Sequence, residues 1–166
     1  MLSQRSFTLL LVGLVLSEFL IVDVSGIGPS GSKVNEKNIR GETALHRAAE
    51  TGDVNEAQKL IDDGAEVNIE NLFKETPLHL SASNGHKNVA ELLISKGAIV
   101  DSKNEYHATP LHSAAFNGHV NVAELLIRKG ANVNVQNSSK QTPLQVARNN
   151  GHDEVAKLLS VKKTKY

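Results

Sequence analysis

The chain has no cysteine and no tryptophan, and its one methionine is the first residue. No disulfide framework can hold it together, and no thiol chemistry is open to it. Aromatic residues make up only 4% of it, two Tyr and four Phe, so Leu, Val, Ile and Ala must build the core. A core of that kind suits thin stacked layers better than a globule packed on large rings. Basic and acidic side chains balance at 18 each, which leaves no electrostatic footprint for nucleic acid over the whole chain. No apolar run reaches the roughly 20 residues that a membrane-spanning helix needs, because Glu18 and Asp23 interrupt the longest candidate. P-loop, nucleophile-elbow, H-E-x-x-H and kinase phrases are also missing, so catalysis is not expected. With 166 residues, there is room for one modest domain.

Residues 1–26 belong to a different regime. Arg5 precedes a short apolar run, Phe7 to Leu16, and small residues follow at Val24 and Gly26. That layout is expected of a cleaved secretory signal peptide. The expectation is a leader over 1–26, a short spacer over 27–33, one domain over 34–161 and a basic tail over 162–166, with the product secreted. A membrane anchor through residues 7–24 and a cytoplasmic chain are the alternatives. Loss of the leader would remove Arg5, Glu18 and Asp23 and leave a net charge of +1. Gly26-Ile27-Gly28-Pro29-Ser30-Gly31 matches G-x-G-x-x-G, but no apolar helical face follows it, so it is read as a spacer rather than a dinucleotide loop.

From about residue 31 the chain repeats every 33 residues. The phrase that opens each unit is G-E-T-A-L-H-R-A-A at Gly41, K-E-T-P-L-H-L-S-A at Lys74, H-A-T-P-L-H-S-A-A at His107 and K-Q-T-P-L-Q-V-A-R at Lys140. Gly52, Gly85, Gly118 and Gly151 keep the step, as do Asn38, Asn71, Asn104 and Asn137. In period and phrase the chain resembles the ankyrin repeat. The resemblance implies an all-α solenoid of stacked helix–turn–helix units, with β-hairpin-like connecting loops and units starting near 41, 74, 107 and 140.

One unit can also be read physically. Thr109 before Pro110 predicts a helix start, with a hydroxyl cap and a proline at the first helical position. Leu111, Ala114 and Ala115 then give a narrow apolar face, and Asn117-Gly118 ends the helix. Val122, Ala123, Leu125, Leu126 and Ile127 fall at helical spacing in a second helix, which Lys129-Gly130 closes. Two helices of about ten residues cannot bury both faces alone, so each unit needs its neighbours. Glu56 and Lys59 in the first unit, with Arg148 and Ser160 in the last, replace apolar residues of the middle units and read as polar end caps. Lys74, His107 and Lys140 stand where Gly41 stands, which predicts stiffer or differently shaped hairpin tips.

Seven histidines raise the question of a metal. Equivalent positions on stacked helices lie about 8–10 Å apart, too far for successive equivalents to share one ion. No metal or other cofactor is expected. The resemblance gives His46, His79 and His112 a structural role, tying loops by hydrogen bonds. It also implies a protein partner, met by hairpin tips and the exposed side of the first helices, with no small-molecule substrate and a monomeric state. On those positions the candidates are Leu72, Phe73 and Glu75 in the second unit and Tyr106, Phe116 and Asn117 in the third; the last unit offers Ser138, Ser139, Gln141, Asn149 and Asn150. Phe73, Tyr106 and Phe116 fall on no repeating core position, and large rings on an exposed face are expected to anchor an interface. The expected function is non-catalytic protein–protein recognition. A secreted effector or venom-type protein blocking a foreign target's interactions is one alternative, and an anchored or intracellular adaptor is another. Asn137-Ser138-Ser139 is a glycosylation candidate at Asn137 if the chain is secreted.

Overall fold

The computed structural model describes residues 33–163, with side chains through Val161. The expected leader, the G-x-G-x-x-G phrase and all side chains of the basic tail lie outside what is described. Eight helices follow the short helical turn at Lys33 and Val34. They form four pairs: α1 (Ala44–Thr51) with α2 (Val54–Asp62), α3 (Pro77–Ser83) with α4 (Lys87–Ser95), α5 (Pro110–Asn117) with α6 (Val120–Arg128), and α7 (Pro143–Asn149) with α8 (Asp153–Lys163). First helices stack on first helices, α1 through α7 by odd number, and second helices stack in a parallel row. No described helix is long and apolar enough to cross a membrane.

Helices this short are marginal alone, so their stability comes from packing across the step of 33. Leu45, Leu78 and Leu111 are buried between the first helices. Ala57, Ala90, Ala123 and Ala156, with Leu60, Leu93, Leu126 and Leu159, are buried along the second. Each buried Leu contributes about 1.5–3 kcal/mol, and the alanines let helices approach closely. The substituted end positions behave differently: Val89 and Val122 are fully buried, whereas Glu56 and Arg148 are exposed.

The expected threonine cap is present at each first helix as one half of a reciprocal capping box, whose other half is the side chain three residues on. In the first three units, the backbone N–H groups of Thr43, Thr76 and Thr109 donate to Nδ1 of His46, His79 and His112, each at 3.1 Å. Each threonine hydroxyl lies 3.0 Å from the same nitrogen. In the last unit the Thr142 hydroxyl accepts the Gln145 N–H at 3.4 Å. In the first three units the ring does more than close the box, because a neutral imidazole can accept at one nitrogen and donate at the other. Its Nε2 donates to the carbonyl of Glu75, Ala108 or Gln141 in the following unit, at 3.0–3.1 Å.

The connecting loops are hairpin-like in path, but no strand forms among the described residues. Lys74, His107 and Lys140 adopt φ of 55°, 52° and 60°, in the left-handed region with Gly41 at 73°. The expected difference in tip shape is therefore corrected: the backbone keeps its turn and the larger residues are forced into it, at a steric cost that glycine avoids.

Candidate functional site

An asparagine builds each tip. Asn71 Oδ1 accepts from Phe73 N and Glu75 N at 2.9 Å; Asn104 Oδ1 accepts from Tyr106 N at 3.0 Å and Ala108 N at 2.9 Å. Asn38 and Asn137 do the same for their own tips. This is the side-chain-to-backbone pattern that lets Asn substitute for a backbone turn. The tips are then joined in series by one backbone bond each: Leu72 N–H to Arg40 O at 3.1 Å, Glu105 N–H to Phe73 O at 2.9 Å, and Ser138 N–H to Tyr106 O at 2.8 Å. Arg40, Phe73, Tyr106 and Ser139 thus hold one register position along the array, on a rigidly spaced row.

Leu72, Phe73, Tyr106 and Phe116 are all exposed, by 69%, 44%, 61% and 57%, so the core does not require these rings. The candidates separate into two groups. Glu75, Tyr106, Phe116, Asn117 and Asn137 come together on the wall of one concavity of about 540 Å³. Leu72 and Phe73 do not line it and stand on the tip before it. Gln141, Asn149 and Asn150 of the last unit complete the wall with neutral amides. Val146 also reaches the wall; its position in the helical apolar face gave no sign of that.

Two charges shape the wall. Tyr106's phenol is pushed up, first by its hydrogen bond to Glu105 and then by the Glu105 and Glu75 carboxylates. His112, in contrast, is driven down by burial, which keeps it neutral. No Lys or Arg lines the concavity.

A second histidine series ties the helices behind the site. Nε2 of His86, His119 and His152 donates to the carbonyls of Glu50, Ser83 and Phe116 in the preceding unit, at 2.8–2.9 Å. His152 thereby fixes the backbone that carries the Phe116 ring. Each ring packs on the glycine that ends the preceding unit's first helix: a β-carbon on Gly52 would come 2.5 Å from the His86 ring, and Gly85 and Gly118 stand in the same relation to His119 and His152. In the first unit Asp53 takes the position of His86 and caps α2 instead, accepting Glu56 N–H at 2.9 Å.

Asn137 holds its turn through Oδ1, and its Nδ2 has no hydrogen-bond partner among the described residues. Asn71 differs, because its Nδ2 donates to the Glu75 carboxylate at 3.2 Å; the residue at the Glu75 position is Gln141 in the last unit.

Over residues 16–104, 45–137 and 98–165 the chain matches the family model described as ankyrin repeats in three copies. The first match begins within the segment read as a leader. No curated protein matches the chain.

Proposed function

The chain belongs to the ankyrin-repeat family, whose repeats are generally protein–protein interaction modules and typically non-enzymatic, and from that premise we propose that it is a non-catalytic recognition protein. It docks a protein partner along its row of tips and the concavity beneath them, with Phe73, Tyr106 and Phe116 as the anchors. The observation that carries this reading is the exposure of those three rings on a scaffold whose apolar core is closed without them. Aromatic anchors at the centre of an interface supply most of its energy, while the surrounding amides of Asn117, Gln141 and Asn149 read orientation.

The test is a triple substitution, F73S/Y106S/F116S. Capture of the partner should be lost while helical content and the unfolding midpoint stay within about 0.5 kcal/mol of the parent, as for surface changes. Retention of the partner overturns the reading, and so does unfolding of the variant, since the rings would then be structural.

Secretion is part of the same proposal, supported by the layout of residues 1–26. Intact mass of the product from eukaryotic cells checks it. A species in the medium beginning near Ile27, with or without a glycan on Asn137, is expected; a full-length species confined to the lysate would favour an anchored or intracellular adaptor. A glycan on Asn137 would leave its turn bonds intact, and it would stand on the wall of the docking concavity.

A further inference from the structure

We propose that the concavity receives an arginine side chain of the partner, its guanidinium on the Glu75 carboxylate and its plane against the Tyr106 ring; this rests on the docking reading above and specifies what docks. The molecule contains its own template for the contact. One unit earlier, Glu42 holds the guanidinium of Arg40 at 2.9 Å, and Asn38 Nδ2 steadies that carboxylate at 3.0 Å. Glu75 occupies the same position 33 residues on, and Asn71 Nδ2 steadies it at 3.2 Å. The register that supplies Arg40 in the first unit supplies Phe73 in the second, so the cation is missing. With Arg40 in place Glu42 is only 7% exposed; Glu75 stays half-buried, and no described Lys or Arg lies in ion-pair contact with it.

The remaining walls suit a cation of this shape. Glu75 is the one carboxylate among the lining residues, with no Lys or Arg to oppose an incoming charge and the His112 ring held neutral by burial. Tyr106 lies in the field of Glu105 and Glu75 together. An exposed ring beside carboxylates attracts a guanidinium through its face, and the planar fork of arginine matches a carboxylate in a way that the point charge of lysine does not. Phe116 offers an apolar wall for the aliphatic stem. Gln141 and Asn149 offer amides to the main chain on either side.

The experiment is an NMR titration of the full chain, labelled with nitrogen-15, against N-acetyl-arginine amide and against its citrulline counterpart, which keeps the shape and loses the charge. Saturable shifts at the amides of Glu75, Tyr106 and Phe116 are expected with arginine and not with citrulline. Glu75→Gln keeps the acceptor for Asn71 and removes only the charge; it should weaken the arginine response by about tenfold or more. The inference is overturned if no saturable shift appears, if citrulline matches arginine, if E75Q responds like the parent, or if the shifts spread evenly to exposed carboxylates such as Glu91 and Glu124. The captured partner separates this failure from failure of the docking reading. A partner that holds E75Q as tightly as the parent but releases the triple serine variant sinks the arginine contact alone.

Discussion

Positions 46, 79 and 112, in the opening turn of each first helix, and positions 40, 73 and 106, on the tip before it, recur at the same step, yet they behave in opposite ways. The first set is histidine every time, and its bonds to the next unit span only 3.0 to 3.1 Å. The second set is Arg, Phe and Tyr, with Ser139 after it, and the backbone beneath is held by the same asparagine turn each time. The loop therefore has a root that changes only to Gln145, in the last unit, because two backbone groups must be satisfied there away from water in the others, and a tip that varies freely, because the turn is made without its side chain. Architecture resides in the root, and the proposed recognition in the tip.

The largest effect expected from breaking the root is acidification. Burial lowers all three histidines, and takes His79 down to about 4 from 6.5. Unfolded histidine gains a proton near pH 6.5, whereas the buried rings resist it, so the unfolded state binds more protons below that value. Stability is fully present above about pH 6.5 and is lost as pH falls toward the folded values. His79 alone accounts for about 3 kcal/mol by pH 4. Urea midpoints measured across that range should fall steeply, and His79→Gln should flatten the slope. Gln145 already shows that an amide can accept the threonine N–H, at 2.8 Å. A midpoint unchanged between pH 7 and 4 would mean that the rings are not held neutral.

A smaller effect sharpens the comparison at the tip. His107 sits at φ 52°, so His107→Gly should relieve a steric cost while loosening the unfolded chain. A net gain of about 0.5 kcal/mol is expected, read as a slightly raised thermal midpoint. A loss instead would show that the His107 side chain makes a stabilising contact.

Much of the root was legible because its chemistry recurs in phase: the Thr-x-Leu phrase and the glycine after each first helix announce helix start and stop from four copies at once, with histidine closing the phrase in the first three. The backbone at Lys74, His107 and Lys140 was not, because local propensity argues against positive φ for those residues; the asparagine three positions earlier, with its closing bonds, overrides it. The bonds of His86, His119 and His152 were hidden for a different reason, since each reaches 36 residues back and no local pattern marks that carbonyl. At the site, exposure of the rings followed from their absence from the core register. That Tyr106 and Phe116 share a concavity while Phe73 does not depends on how neighbouring units stack, which spacing alone leaves undetermined.

The recurring side-chain bonds that join units run over fixed intervals of chain: 29 residues from each root histidine, 36 from each of the second series, and 31 from Asn35, Asn68 and Asp101 to the backbone N–H of Glu66, Ile99 and Asn132. The structure is thus written in differences of residue number, not in absolute positions. Removing or inserting one whole period between equivalent residues leaves these recurring bonds with partners of the same kind, so the reach of the tip row can change in whole steps while the joints stay the same.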